Sequence, residues 1–331
     1  MPRAVVIGAQ GTLGSFVARE LRLRGWDILR AGRRPESAPD FRRVDLDDQA
    51  TWGDTFVGSE LIVSTVPHSE LLLERHMLET GGVLLSPATV PRAALEKLTA
   101  YQRNPKGVVI PHAGLTPGLS NLLAAALLEA APDADELAIG LIFKALGASG
   151  EKGRKWVFRL FAEGVVSPVR AVQLPSPLGF RGCVSTDLSA EGWLVDTHRP
   201  PVQRLEFCMA EKPIDAMLRG LSSIHLATLF SRIAAPAYMH RIPRPTDEQI
   251  YQWAWVRRPS GAKQGWLISA TGDYRSTAVA VRLFAEAIFR LNADSRLPRG
   301  LVRLQDVLKM NDVKKEFAAS GISILEWTPS P

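Results

Sequence analysis

Seven residues, Gly8-Ala9-Gln10-Gly11-Thr12-Leu13-Gly14, constrain this chain more than any other stretch. Before them stands Ala4-Val5-Val6-Ile7, a short apolar run rich in β-branched residues. A run without polar alternation suits a strand buried on both faces. After them, Leu13, Phe16, Val17, Leu21 and Leu23 recur near three- and four-residue spacing, and Gly25 stops the helix. A strand, a tight glycine turn and a helix make an anion site. The first N–H groups of the helix have no partner within it, and the aligned peptide dipoles favour negative charge there.

The alternation continues. Strands are predicted at Trp26–Ala31, Leu61–Val66, Val83–Leu85 and Gly107–Ile110, and helices at Ser69–Glu79 and Pro91–Gln102 and after Pro117. Strands alternating with helices at short intervals predict an α/β fold with an N-terminal, doubly wound parallel sheet of the Rossmann type. After about residue 132 the pattern changes to shorter strand-like runs, at Leu137–Phe143, Val165–Val172, Arg204–Cys208 and Trp266–Thr271, with one or two helices over 213–235. A strong helical pattern returns from Tyr274 to Leu291. The expected organisation is a Rossmann domain over 1–132, a second α+β mixed-sheet domain for substrate and dimerisation over 133–272, and a C-terminal return over 273–331 that packs on the first.

Composition narrows the function. A chain of 331 residues with 46% hydrophobic content can bury a sizeable core. The net charge of +6 comes from scattered Lys and Arg rather than a dense basic run, so nucleic acid is not an expected partner. Cys183 and Cys208 form no CxxC pair, and no metal-ligand spacing is visible; a reducing cytoplasm fits. The opening apolar run is too short for a signal peptide, and no run approaches the roughly 18 residues of a membrane span. Leu115–Leu128, the most apolar stretch, reads as a buried helix.

The glycine spacing is GxxGxxG rather than GxGxxG, a variant that still serves a dinucleotide. Gly8 permits the turn, Gly11 lets a pyrophosphate approach the backbone, and Gly14 lets the helix pack on the strand; Gln10, Thr12 and Leu13 complete the cradle. The end of the second strand reads Arg30-Ala31-Gly32-Arg33-Arg34-Pro35. An acidic residue there would bind a ribose 2′-hydroxyl, whereas arginine accommodates a 2′-phosphate. Arg33 and Arg34 therefore favour NADP(H) over NAD(H), against the alternative of two solvated arginines. Asp45 either accepts from the adenine amino group or is an exposed loop aspartate. Thr65, Val66, Pro67 and His68, at the end of the next predicted strand, should line the central or nicotinamide part of the cofactor.

At His112-Ala113-Gly114-Leu115-Thr116-Pro117-Gly118-Leu119-Ser120-Asn121 a further pattern appears, Gly-x-x-Pro-Gly-Leu-x-Asn opening a helix. With the glycine turn and Gly32-Arg33-Arg34, it resembles the saccharopine dehydrogenase (saccharopine reductase)-like family. Thr277-Ala278, Arg299-Gly300-Leu301-Val302 and Gly321-Ile322-Ser323-Ile324 are similar too, so the resemblance spans the two ends of the chain. It implies a Rossmann unit completed by the C-terminal return, a cleft facing the middle domain, and an oxidoreductase acting on a C=N or C=O carbon of a small molecule, with amino-acid-like or lipid-like substrates in the family. A homodimer is also expected.

Hydride transfer often needs a proton donor. None of the four tyrosines has lysine four residues later, which disfavours a Tyr-x-x-x-Lys mechanism. His112, Thr116 and Asn121 flank the Pro-Gly turn and are the catalytic candidates. His112 is either an acid/base or a strand-end histidine bonded to backbone, and Thr116 either faces substrate or caps the helix. Lys144, Arg154 and Lys155 are candidates for a substrate carboxylate, whereas His225 and His240 read as structural. The alternative to an enzyme is an NADP(H)-binding redox sensor or interaction protein without catalysis.

Overall fold

The computed structural model describes residues 1–67, 70–90, 92–144, 170–176, 178–188, 200–223 and 249–328. The chain divides into two compact units. The described residues of the first are Met1–Leu122 and Tyr274–Ser320; those of the second run from Leu123 to Asp273 and onward from Gly321.

The first unit holds a seven-stranded sheet. Its strands are β1 (Arg3–Ile7), β2 (Asp27–Gly32), β3 (Phe41–Arg43), β4 (Leu61–Ser64), β5 (Val83–Leu85), β6 (Val108–Ile110) and the short Gly300–Leu301. The order is Gly300–Leu301, β6, β5, β4, β1, β2, β3, and every pair is parallel. Sequential order reverses on either side of β1, which places the crevice of a doubly wound sheet at the carboxyl ends of β1, β2 and β4. The apolar runs predicted as strands are buried, and Val5, Ile7, Leu29, Ile62, Leu84 and Val109 share one core cluster. Helices α1 (Thr12–Arg22), α2 (Leu72–Thr80) and α3 (Arg92–Leu98) belong to this unit, and α4 (Leu119–Ala130) starts in it. No helix joins β2 to β3; residues 33–40 cross as a loop.

The C-terminal part of the first unit is anchored by the helix Asp273–Ala293. Phe289 packs edge-on against Trp26, with ring centroids 5.2 Å apart, and Phe284 packs against Phe317 at 5.5 Å. Arg282, 2% exposed, is paired with Glu20 at 3.6 Å and Glu286 at 3.2 Å, and donates to Ser320 Oγ at 2.9 Å. A buried guanidinium is tolerated here because two carboxylates balance its charge.

The second unit holds a mixed sheet of β7 (Glu136–Phe143), β8 (Arg170–Leu174), β9 (Gly179–Asp187), β10 (Val202–Met209), β11 (Gln249–Arg257), β12 (Lys263–Thr271) and the last strand, Ser323–Trp327. Their order is Ser323–Trp327, β12, β11, β7, β10, β9, β8; β7 and β10 are parallel and the other pairs antiparallel. Gly140 lies opposite Trp253, and a β-carbon on Gly140 would fall within the Trp253 indole. At the start of β7, Glu136 is 1% exposed and receives Arg170 at 2.5 Å, Arg204 at 2.7 Å and Arg257 at 3.2 Å. β8 takes up the end of the predicted Val165–Val172 run, whose first residues lie outside the described ones. A helix over Lys212–Ser223 occupies the first half of the predicted 213–235 span; the rest lies outside the described residues.

The structure adds two strands and corrects one expectation. The sequence pattern does not mark β9 or β11, and both are strands. The C-terminal return does not go wholly to the first unit: Ser323–Trp327 pairs antiparallel with β12, register Gly265 with Trp327, because its backbone completes that sheet's edge. Among the described residues no helix is long and apolar enough to cross a membrane, and no cluster of His, Cys, Asp or Glu could hold a metal ion.

Candidate functional site

The glycine turn closes β1 onto α1. Gly8 has φ +80°, a left-handed conformation that glycine adopts without cost. Its N–H donates to Ala31 O at 2.9 Å, which ties the turn to β2, and Gly11 N–H donates back to Gly8 O at 2.8 Å. A β-carbon on Gly8 would stand 2.6 Å from Val66 Cγ2 and 2.7 Å from Thr65 Oγ1. The turn is thus boxed between the ends of β2 and β4. A β-carbon on Gly14 would intrude on the Gly8 carbonyl and lie 2.9 Å from Ala9 Cα, so this glycine sets how closely α1 rests on the turn.

The start of α1 is left open for an anion. Its N-cap, Gly11, offers no side-chain cap, and the first turn contains no acidic residue. The N–H groups of Thr12, Leu13 and Gly14 lack intrahelical acceptors by helix geometry, and the dipole adds a partial positive charge. Gln10 and Gly11 are exposed, and Thr12 and Leu13 are half-buried. A bare, glycine-lined helix start at the switch point of a parallel sheet fits a dinucleotide pyrophosphate.

At the end of β2, Arg33 and Arg34 are exposed, and among the described residues neither takes part in a hydrogen bond or ion pair. Gly32 precedes them, with Gln10 Oε1 2.8 Å from the place of its missing β-carbon. Glu36, which the arginine motif does not flag, enters the same neighbourhood. Its Oε2 accepts from Gln10 Nε2 at 3.4 Å and its Oε1 from Arg30 Nη2 at 2.6 Å. Arg30 also donates from Nε and Nη2 to the two oxygens of Asp40, at 3.1 and 3.0 Å, and Arg22 pairs with Asp40 from α1. Bonding to Arg30 holds the Asp40 carboxyl below the usual carboxylate range. The sequence signal for this carboxylate lies one residue past Pro35, where Glu36 stands.

Other expected lining residues divide. Thr65 and Val66 border the turn, and the Thr65 hydroxyl donates to Ile7 O at 2.9 Å; Pro67 is exposed beside them, and His68 lies outside the described residues. Asp45 follows β3 in a turn of its own, where its Oδ1 accepts from Asp47 N–H at 3.2 Å and its carbonyl from Trp52 Nε1 at 2.7 Å.

His112 follows β6 with φ +57°, rare for a residue with a side chain, and is 2% exposed. Its Nε2 lies 3.0 Å from Val90 N and 3.2 Å from Val90 O, so the ring is bonded to the Val90 backbone; among the described residues Nδ1 is buried without a partner. Burial lowers the pKa to about 4, the bond to Val90 opposing it. The imidazole is therefore neutral at pH 7, in the backbone-bonded arrangement. Asn121 is buried in the first turn of α4, with Oδ1 accepting from Gly118 N–H at 3.4 Å and Ser120 Oγ at 3.2 Å. It closes the helix start from within, the role of the third residue in a capping box. Thr116 is half-buried. Lys144 follows β7 in the second unit, while Arg154, Lys155, His225 and His240 lie outside the described residues.

No family model and no curated protein matches this sequence. Solved structures do. Apo saccharopine dehydrogenase (L-Glu forming) from Saccharomyces cerevisiae is similar with a TM-score of 0.63 at 11% identity, over 99% of this chain and 100% of that one. Homospermidine synthase from Legionella pneumophila, in complex with NAD, is similar with a TM-score of 0.64 at 11% identity, over 99% of this chain and 91% of that one. At such identity the likeness is one of fold, and it agrees with the α/β architecture expected from the sequence.

Proposed function

We propose that this chain is an NADP(H)-dependent oxidoreductase that moves a hydride to or from a C=N or C=O carbon of a small, amino-acid-like molecule. The observation that carries the cofactor part is the unpaired Arg33 and Arg34 beside the bare start of α1. Two free guanidiniums at the end of β2 suit a 2′-phosphate, because each can offer paired, charge-assisted hydrogen bonds. The redox part rests on the fold shared with two proteins whose names denote a dehydrogenase and a synthase studied with NAD. The cofactor supplies the hydride chemistry when bound. The chain's own part is to seat the pyrophosphate on the N–H groups of Thr12, Leu13 and Gly14, with Thr65 and Val66 closing the opposite side.

The test is differential binding. Arg33→Glu should weaken NADPH at least tenfold and change NADH by less than threefold, by isothermal titration. Equal, small changes in both would refute the NADP(H) assignment. A second reading, a sensor without turnover, is favoured by His112, whose Nε2 is committed to Val90 and whose imidazole is neutral at pH 7. Tight NADPH binding with no absorbance change across imines, amino acids and carbonyl compounds would select it.

A further inference from the structure

The loop after β2 carries opposing signals. Arg33 and Arg34 favour a 2′-phosphate, and Glu36, two residues beyond Arg34, would repel it. A carboxylate so close in sequence to two arginines would ordinarily fold back onto them. It does not. Glu36 reaches instead to Arg30 at 2.6 Å, and its second oxygen takes Gln10 Nε2 at 3.4 Å. Arg30 is held in place from three other sides: both oxygens of Asp40, the ring of Phe41 at 5.8 Å, and its backbone N–H on Asp40 O at 2.7 Å. Asp40 is itself fixed by Arg22. The absence of a helix between β2 and β3 lets this network form, since residues 33–40 fold back along the β2 edge.

We propose that Arg30 is a positioning residue for cofactor selectivity: by engaging Glu36 it neutralises the neighbouring carboxylate that would oppose a 2′-phosphate and leaves Arg33 and Arg34 unpaired. The inference rests on the NADP(H) reading. It makes the selectivity a property of the ion-paired loop rather than of the two arginines alone. Without Arg30, Glu36 becomes free to pair with Arg33 or Arg34, or to accept from a ribose hydroxyl, and both outcomes favour NADH.

The experiment measures dissociation constants for NADPH and NADH by isothermal titration on the full chain, with folding checked by circular dichroism. Arg30→Met should weaken NADPH about tenfold while leaving NADH unchanged or tighter. The double variant Arg30→Met/Glu36→Gln should bring NADPH back to within about threefold of wild type, because the unmasked charge is gone. Arg30→Lys, which keeps the charge, should lie nearer wild type than Arg30→Met. A parallel loss of both cofactors in Arg30→Met, or no recovery in the double variant, overturns the proposal. Glu36→Gln alone guards against a misfolded Arg30→Met: a neutralised carboxylate predicts less than a threefold change for NADPH, and a tenfold gain overturns the proposal. The wild-type ratio judges the NADP(H) reading separately. A chain that prefers NADH refutes that reading, while the shift of the ratio among variants still decides the role of Arg30.

Discussion

Gly14 stands so close to Gly8 that a β-carbon on the first would intrude on the carbonyl of the second. The contact joins the second helical residue after Thr12 to the turn that ends β1, both rigid backbone, so the overlap cannot be relieved by rotating a side chain. Gly14→Ala should therefore lift α1 off the sheet, at a cost of about 3 kcal/mol. Gly11→Ala provides the contrast, since its β-carbon would meet only Gly8 O, at 3.2 Å. Urea unfolding of the two variants checks this. Equal stability of Gly14→Ala and wild type would contradict the packing.

His112 makes a pH prediction. Burial lowers its pKa to about 4, whereas the unfolded chain titrates near 6.5. Between these values the unfolded state binds more protons than the folded one, so stability falls as pH drops from about 6.5 to about 4. The loss from this residue is about 3 kcal/mol at most. His112→Asn should flatten that part of the profile, and it also suits a backbone at φ +57°. Chemical denaturation at pH 7, 5.5 and 4.5 decides the matter; identical profiles for variant and wild type would show that His112 titrates normally.

Legibility followed the range of the interactions. β1, the glycine turn and α1 are contiguous and obey local rules, and the sequence marks them to within two residues. β11 escapes sequence reading although Tyr251, Trp253, Trp255 and Val256 favour a strand. Both of its faces are buried from Gln252 to Val256, which erases the period-two pattern. β9 escapes it because Gly179, Arg181 and Gly182 read as a loop, and its pairing with β10 supplies what its own residues do not. The pairing of Ser323–Trp327 with β12 spans more of the chain than any periodicity can sense. In the candidate site, Arg33 and Arg34 are visible as a motif. The tie between Glu36 and Arg30 is not, because it depends on which way a loop folds back, as does the bond from Val90 to His112.

Glu206 gives the last prediction. It is 0% exposed on β10, and its Oε2 accepts from Trp253 Nε1 at 3.0 Å and Trp255 Nε1 at 3.1 Å, while among the described residues Oε1 is buried without a partner. Burial pushes this carboxyl above its ordinary range, with the two indoles pulling the other way. A carboxyl raised on folding contributes stability that is complete below its unfolded pKa and is lost as pH rises through the folded one. Glutamine keeps an acceptor for both indoles and carries no charge. Glu206→Gln should accordingly be more stable than wild type at pH 8, with the difference closing toward pH 4. Glu206→Leu separates charge from hydrogen bonding: it strands two indole N–H groups and should be about 3 kcal/mol less stable than Glu206→Gln at every pH. Denaturant midpoints across pH 4 to 8 distinguish these outcomes, and a constant gap between Glu206→Gln and wild type would mean that burial leaves the carboxyl's pKa where it is in the unfolded chain.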